Sequence, residues 1–268
     1  MPTDIPQSRR ELIGQRLAAG SRVAVTELAS EFSVSDDAIR RDLRALAAAG
    51  ECRRVYGGAL PVSPASGAMS DRMARDRHRK RQLAEAVVGL IADGECLFLD
   101  NSSTNLALAE ILPASSNLTV ISNSAAIVAA LADRNDIRLI AIGGVVDPNL
   151  GACTGPEALV QVQHIHFDRL LLGACAVSCS HGVCVFDPTD MAFKQQLLAS
   201  ANYVVVLATS DKLETTAPFR VASLKAIDTV VVESDAEGAI CSNLAAAGLD
   251  IVRAAGTSSQ PPISAKTG

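Results

Sequence analysis

The run Ser35-Asp36-Asp37-Ala38-Ile39-Arg40-Arg41-Asp42-Leu43-Arg44-Ala45-Leu46 reads as a capped amphipathic helix with a charged outer face. Ser35 is a residue of N-cap type, and Asp36 and Asp37 put negative charge into the first turn, where the helix dipole favours it. Ile39, Leu43 and Leu46 stand at i, i+4 and i+7, so they share one face, which must point into a core. At ~100° per residue, Asp37, Arg41 and Arg44 then project away from that core, with Ala38 and Arg40 on the flanks. Guanidinium groups on such a face suit phosphate contacts and bidentate contacts to guanine edges in a major groove.

Two more short helices precede this one. The first spans residues 8–19, with Leu12, Ile13 and Leu17 on one side, and stops at Gly20-Ser21. The second spans residues 26–32, with Leu28, Ala29 and Phe32 at helical spacing, and a tight turn at Ser33-Val34 leads into Ser35. After the third helix, residues 51–56 read as a strand before Gly57-Gly58, forming a wing that carries Arg53 and Arg54. A short helix, a tight turn, a capped helix with arginines outward and a basic wing are what groove reading requires. Residues 1–60 are thus expected to be a winged helix-turn-helix that contacts DNA through Ser35, Asp37, Ala38, Arg40, Arg41, Arg44, Arg53 and Arg54. The competing reading is a solvated helix face on a module that binds another protein.

Charge supports a basic head on an acidic body. The chain of 268 residues has a formal net charge of −5, yet residues 1–81 hold 15 Lys and Arg against 10 Asp and Glu. Polyanion binding is therefore confined to the N-terminal part. Hydrophobic residues are 49% of the chain and aromatic ones only 3%, so the core is built from Ala, Val, Leu and Ile. Nothing resembles a secretory h-region or a membrane span, and seven scattered cysteines make no disulfide framework, so a cytoplasmic protein with reduced thiols is expected.

A Pro/Ser/Gly stretch within residues 61–70 reads as a linker, and Ser70 as the cap of a helix over residues 71–91. Beyond it, apolar runs at 96–99, 118–121, 137–142, 170–172, 203–208 and 229–232 alternate with helical segments, and residues 254–268 read as a disordered tail. Runs without period-two polarity, separated by helices, imply an α/β domain over residues 71–253: a mostly parallel, doubly wound sheet. Three polar turns follow its strands: Asp100-Asn101-Ser102-Ser103-Thr104, Ser122-Asn123-Ser124 and Gly143-Gly144. Open α/β sheets bind ligands at such carboxyl ends, although any one of these turns could simply cap the next helix. The basic run Arg75, Arg77, His78, Arg79, Lys80 and Arg81 is read as a solvated helix face, with contacts to DNA flanking the site as the alternative.

Val25-Thr26-Glu27-Leu28-Ala29, Ala38-Ile39-Arg40-Arg41-Asp42-Leu43 and Arg53-Arg54-Val55-Tyr56-Gly57-Gly58-Ala59 together resemble the signature of the DeoR family of bacterial transcriptional regulators. Leu99 to Thr104, Ser122 to Ser124, Gly143-Gly144, Gly155-Pro156, Leu172-Gly173-Ala174 and Lys194 follow in that family's order. The resemblance implies a repressor of a carbohydrate operon, responding to a phosphorylated sugar, with a C-terminal domain similar to ribose-5-phosphate isomerase. It further implies that Ser102, Ser103 and Thr104 hold the phosphate, that Asp100 faces sugar hydroxyls and that Lys194 supplies positive charge; no cofactor and no metal are expected. Departures from the family pattern are Ser33 and Ala38 in the reading head, Ser102 in place of glycine, Cys175-Ala176, and Asp147-Pro148-Asn149 after the glycine pair.

Two other readings remain open. A sugar-phosphate isomerase or deaminase needs a placed acid or base, but Gly173 to His181 contains no Asp or Glu. A metal or redox sensor is suggested by His164, His166, Cys175, Cys179, His181 and Cys184, whose spacing includes no C-x-x-C pair. One wing module has a small footprint, so homo-oligomerisation through the C-terminal body, as dimer or tetramer, is expected.

Overall fold

The computed structural model describes residues 6–18, 22–49, 51–61, 67–114 and 116–256. Residues 62–66 of the expected linker and 257–268 of the expected tail lie outside the described residues.

The head consists of α1 (Pro6–Ala18), β1 (Val23–Ala24), α2 (Val25–Glu31), α3 (Asp36–Ala48), β2 (Cys52–Val55) and β3 (Gly58–Pro61). Ser35 caps α3, its hydroxyl accepting from the Ala38 amide. Ile13, Leu17, Val25, Leu28, Ile39, Leu43 and Leu46 close one core, as helical spacing requires. Leu12 departs from the expectation: it stands 36% exposed, because Ile13 and Leu17 already fill that face. The turn between α2 and α3 places Ser33 at φ 53°, a left-handed conformation that L side chains adopt at a cost. This explains why a glycine suits the position.

Next come α4 (Met69–Ala74) and α5 (Arg77–Val88). The single helix expected over 71–91 is therefore two. Arg75 is extended and Asp76 left-handed, and this break redirects the chain. The cap of α4 is Ala68 rather than Ser70.

The C-terminal body continues with β4 (Cys96–Leu99), α6 (Ser103–Ala109), β5 (Thr119–Ser122), α7 (Ala125–Leu131), β6 (Arg138–Ala141), β7 (Val146–Asp147), β8 (Ala152–Cys153) and α8 (Pro156–Val162). It then runs through β9 (Phe167–Gly173), β10 (Ala176–Ser178), β11 (Gly182–Val185), α9 (Pro188–Ser200), β12 (Ala201–Leu207), β13 (Phe219–Ala222), β14 (Thr229–Val232), α10 (Gly238–Ala246) and β15 (Asp250–Arg253). Seven strands form one sheet in the order β15-β14-β12-β9-β4-β5-β6. Every pairing in it is parallel.

Both faces are covered, as the unbroken apolar runs require. Leu97, Leu99, Leu171, Val205, Leu207 and Val231 pack with Leu83, Val87 and Leu108 on one side. Phe98, Leu170, Leu172, Val206, Val230 and Val232 pack with Phe193, Leu197 and Leu244 on the other. Successive strand residues point to opposite faces, so each face receives its own apolar row. The small antiparallel sheet β10-β11-β13 and the edge strand β15 had no counterpart among the expected runs.

The strand order sets where a site can form. From β4 the chain moves outward through β5 and β6, then returns to place β9 on the other side of β4. The order therefore reverses between β4 and β9, and a crevice opens at the carboxyl ends of those two strands.

Candidate functional site

In the head, α3 presents its outer face as the sequence demands. Arg40, Arg41 and Arg44 are exposed or half-exposed, Ile39, Leu43 and Leu46 buried. Arg40 is drawn back onto its own helix by Asp37 at 2.9 Å and Asp36 at 3.3 Å. Arg41 Nε donates to the Asp37 carbonyl at 3.4 Å and Arg44 Nε to that of Arg40 at 3.2 Å; among the described residues neither makes an ion pair. Their charge is thus available to an outside anion. Ser35, Asp37 and Arg54 also reach the surface and Ala38 is half-buried or more open, while the Arg53 backbone pairs with Leu60 in the wing. Asp42, inside the Arg-rich run, serves the fold instead. It is buried, accepts from Arg9 at 2.7 Å and pairs with Arg10 at 3.5 Å, locking α1 to α3.

At the crevice, Asp100 ends β4 and spends both oxygens on the framework. Oδ1 accepts the Ser102 amide at 3.0 Å and Asn105 Nδ2 at 2.8 Å. Oδ2 accepts the Gly173 amide at 2.7 Å and the Lys194 ammonium. Lys194 also donates to the Gly173 carbonyl at 3.1 Å and lies 3.7 Å from Asp190. Burial works against its charge, yet Asp100 and Asp190 outweigh it and hold Lys194 above the ordinary lysine range. Gly173 has to be glycine: a Cβ there would sit 2.3 Å from Ser102 Cβ.

Around this hub lies a narrow cleft, open in part to solvent, with a free volume of about 30 Å³. Asn101, Ser102 and Ser103 line it from β4, Gly173 to Cys175 from β9, and Asp190 and Lys194 from α9. Thr209, Asp211 and Lys212 line it from the turn after β12, and Arg72, Arg75, Asp76 and Lys80 from the α4–α5 junction. Ser102 Oγ accepts from the Thr104 amide at 3.1 Å, so one expected ligand hydroxyl is also the cap of α6. Thr104 is fully buried behind it.

The other two polar turns lie beyond β4, on the far side from the reversal, and do not line the cleft. Ser122 Oγ donates to the Leu99 carbonyl at 2.7 Å and accepts from the Ser124 amide at 3.1 Å; Asn123 Nδ2 donates to the Cys153 carbonyl at 3.0 Å. Gly143 is bracketed by the amide of Gln161, at 3.1 and 3.2 Å. These contacts are internal to the fold.

Four cleft cations, Arg72, Arg75, Lys80 and Lys212, were not anticipated as ligand groups. Lys212, in the 3-10 turn Ser210–Lys212, is 8% exposed and forms no ion pair within 4.0 Å among the described residues. Burial pushes its ammonium below the ordinary lysine range. Lys80 is brought down to about 8, by burial and by the neighbouring Lys212 charge, with Asp76 pulling the other way. Asp190 is pushed up to about 6 by burial, against the pull of Lys194. Among the described residues several acceptors at the cleft have no hydrogen-bond partner: Asn101 Oδ1, Asp190 Oδ1 and both oxygens of Asp211, although Asp190 Oδ1 lies 3.7 Å from Lys194 and Asp211 Oδ1 3.5 Å from Arg79. The signal for Lys212 was available: it follows an apolar strand in a polar turn, just as Asn101 follows β4.

Cys175 lies at the cleft, and burial raises its thiol, as burial raises Cys52, Cys96, Cys153, Cys179 and Cys184; such thiols are poor nucleophiles. Among the described residues no group of three or more His, Cys, Asp or Glu side chains is gathered as a metal site. Nor is any described helix long and apolar enough to cross a membrane.

A winged helix-turn-helix with free outward arginines, joined to a parallel α/β body with a charged crevice at its strand reversal, defines a DNA-binding module coupled to a ligand-sensing one. Residues 9–65 match the DeoR-like helix-turn-helix domain and residues 75–234 the DeoR C terminal sensor domain. The chain belongs to the DeoR family of transcriptional regulators. It is 29% identical over 231 residues to the HTH-type transcriptional regulator FruR of Bacillus subtilis (strain 168), covering 85% of this chain and 91% of that one. It is likewise 29% identical over 213 residues to the glycerol-3-phosphate regulon repressor of Escherichia coli (strain K12), covering 79% and 84%. Among solved structures it is similar to ribose 5-phosphate isomerase A from Neisseria gonorrhoeae, at 18% identity, 56% of this chain, 57% of that chain and a TM-score of 0.38.

Proposed function

We propose that this regulator represses a carbohydrate operon and is controlled by a phosphorylated sugar bound in the β4–β9 cleft. The observation that carries this is the Lys212 ammonium, buried at the cleft with no carboxylate within ion-pair distance among the described residues. A cation taken out of water without a partner is costly, so it favours any anion that can enter. Arg72, Arg75 and Lys80 add charge of the same sign, while the oxygens of Asn101, Asp190 and Asp211 that lack hydrogen bonds call for hydroxyl donors. An anionic group on a polyhydroxylated body meets both demands. Ser103 and Ser102 add hydroxyls at the same wall.

This reading moves the ligand charge from Lys194 to Lys212, since Asp100 and Asp190 already neutralise Lys194. Effector binding, not turnover, is the role of the cleft; the relatives are transcriptional regulators, and the one acidic group at the cleft with a raised pKa, Asp190, faces Lys194. The protein acts in the cytoplasm as a homo-oligomer, because two reading heads are needed to cover a half-site pair. DNA contact rests on Arg41, Arg44 and the wing arginines Arg53 and Arg54, with Arg40, Asp37, Ser35 and Ala38 at the edge of the same face.

The test is a thermal-shift screen of sugar phosphates beside their unphosphorylated forms on wild type and Lys212→Met. The expected result is a stabilisation by at least one phosphorylated sugar that is absent for its free sugar and absent in Lys212→Met. Equal stabilisation of the two proteins would overturn the assignment.

A further inference from the structure

Among the described residues of the body, the large hydrophobic side chains left exposed are Val145, Val146 and Val160, and they gather at one end of the sheet. Val145 and Val146 follow β6, the strand that closes the sheet at the end opposite β15. Val160 precedes Gln161, whose amide brackets Gly143 at 3.1 and 3.2 Å, so α8 holds it beside the end of β6. The other edge strand, β15, carries none of these exposed residues. Apolar side chains collected at one place on a surface mark a contact with something outside.

The strand itself is unfinished on that side. The Arg138 amide donates to the Leu118 carbonyl and the Ile142 amide to that of Ser122, each at 2.9 Å, so both point toward β5. Backbone groups alternate along a strand, and the amides and carbonyls of Leu139 and Ala141 therefore point the other way, where the sheet has ended. Arg138 is the one charge on β6, and no proline blocks it. An edge of this kind is a template for another strand.

A second β6 fits it. Antiparallel pairing about a two-fold axis through Ile140 sets Leu139 of one copy opposite Ala141 of the other, and each such pair exchanges both of its hydrogen bonds. The axis is perpendicular to the sheet, so each face meets the same face of the other copy. Arg138 shares a face with Ile140 and Ile142, which pack into the same core as Ala158 and Val162 of α8. In this register Arg138 of one copy stands opposite Ile142 of the other, two residues from Gly144. A Cβ on Gly144 would lie 3.7 Å from that of Glu157, so the carboxylate of Glu157 is at hand on that face. Arg138 and Glu157 are both exposed, and among the described residues neither makes an ion pair. The symmetry brings these opposite charges together twice.

Resting on the reading of this regulator as a homo-oligomer, we propose that the β6 edges of two copies pair antiparallel about Ile140 and join the two sheets into one, with Arg138 of each copy against Glu157 of the other and the three valines at the margin of the contact.

The experiment is sedimentation velocity of the full-length protein over a range of concentrations, for wild type, Arg138→Glu, Glu157→Arg, the variant with both reversals, and Ala141→Pro. Each is first checked for an unchanged circular dichroism spectrum. A single reversal sets like charges together at both symmetric places, so each is expected to weaken association by about tenfold or more. Reversing both charges restores opposite signs and should bring association back to within about threefold of wild type. Ala141→Pro removes a donor that faces outward from the edge, so the fold is kept and one association step is lost, dimer to monomer or tetramer to dimer. Wild-type assembly in all four variants overturns the proposal and leaves the homo-oligomer reading standing, with another surface joining the copies. Weakening in both single reversals without recovery in the double one overturns it as well. A wild type that stays monomeric at every concentration overturns the homo-oligomer reading first and the β6 pairing with it.

Discussion

The Lys80 ammonium lies 2.6 Å from the Arg75 carbonyl oxygen and also donates to that of Arg72, so one buried cation holds the last turn of α4. The same ammonium lines the cleft beside Lys212. The start of α4 is tied separately, by the Met69 amide donating to the Asn149 carbonyl at 2.9 Å. An anion entering the cleft competes with two α4 carbonyls for Lys80, and α4 is the first described element after the wing. Lys80→Met keeps the aliphatic stem and removes the tether. Its expected outcome is near-normal duplex affinity with most of the effector coupling lost, a change of about 1–3 kcal/mol in the linkage between the two ligands. Duplex titrations with and without sugar phosphate read this directly, and hydrogen exchange should quicken in α4.

Lys80 also gives the effector response a pH signature. In the ligand-free protein its ammonium loses its proton near about 8, because burial disfavours the charge. A bound anion favours the charged form, so the complex keeps the proton to higher pH. Affinity is therefore flat below that value and falls above it, by up to about tenfold per pH unit. The sugar phosphate itself stays a dianion there, its second ionisation lying at about 6. Calorimetric titrations between neutral and alkaline pH should show this fall in wild type and a weaker one in Lys80→Met, the remainder coming from Lys212.

Gly173→Ala forces a methyl against Ser102, where the contact would be 2.3 Å. Overpacking of this kind costs about 1–3 kcal/mol. Urea denaturation should report that loss, together with a weakened effector response, because Ser102, Asp100 and Lys194 all shift with Gly173.

Asp42→Ala leaves Arg9 buried at 5% exposure without its carboxylate. Breaking a buried pair from one side costs about 3–5 kcal/mol. The head should unfold early in a melting scan and duplex binding should disappear, while sugar-phosphate stabilisation of the body is retained. Asp42 sits inside the arginine run, so this substitution separates a structural residue from the groove-reading ones around it.

Much of this was legible in the sequence. The cap at Ser35, the buried row Ile39-Leu43-Leu46 and the outward arginines follow from helical spacing alone. The parallel sheet follows from apolar runs with helices between them. The cleft was legible only in part. Asn101 to Ser103 were found because they follow a strand, but which strand ends meet depends on strand order, and the reversal between β4 and β9 has no local signature. Ser122 to Ser124 and Gly143-Gly144 look like Asn101 to Ser103 in sequence, yet their strands lie on the far side of β4. Lys194 and Lys212 are both buried lysines, and only the placement of Asp100 and Asp190 separates the neutralised one from the one without an ion pair among the described residues. The break between α4 and α5 falls at Asp76, a residue that carries no helix-breaking signal by itself.

Whether the buried Lys212 ammonium receives the effector's anion is decided by fluorescence anisotropy of an enriched, labelled duplex, titrated with sugar phosphates in the presence of wild type or Lys212→Met. A phosphorylated sugar should shift duplex binding by wild type, its free sugar should not, and Lys212→Met should hold the duplex normally yet ignore both. The same response at the same concentration in Lys212→Met would show that the anion is held elsewhere.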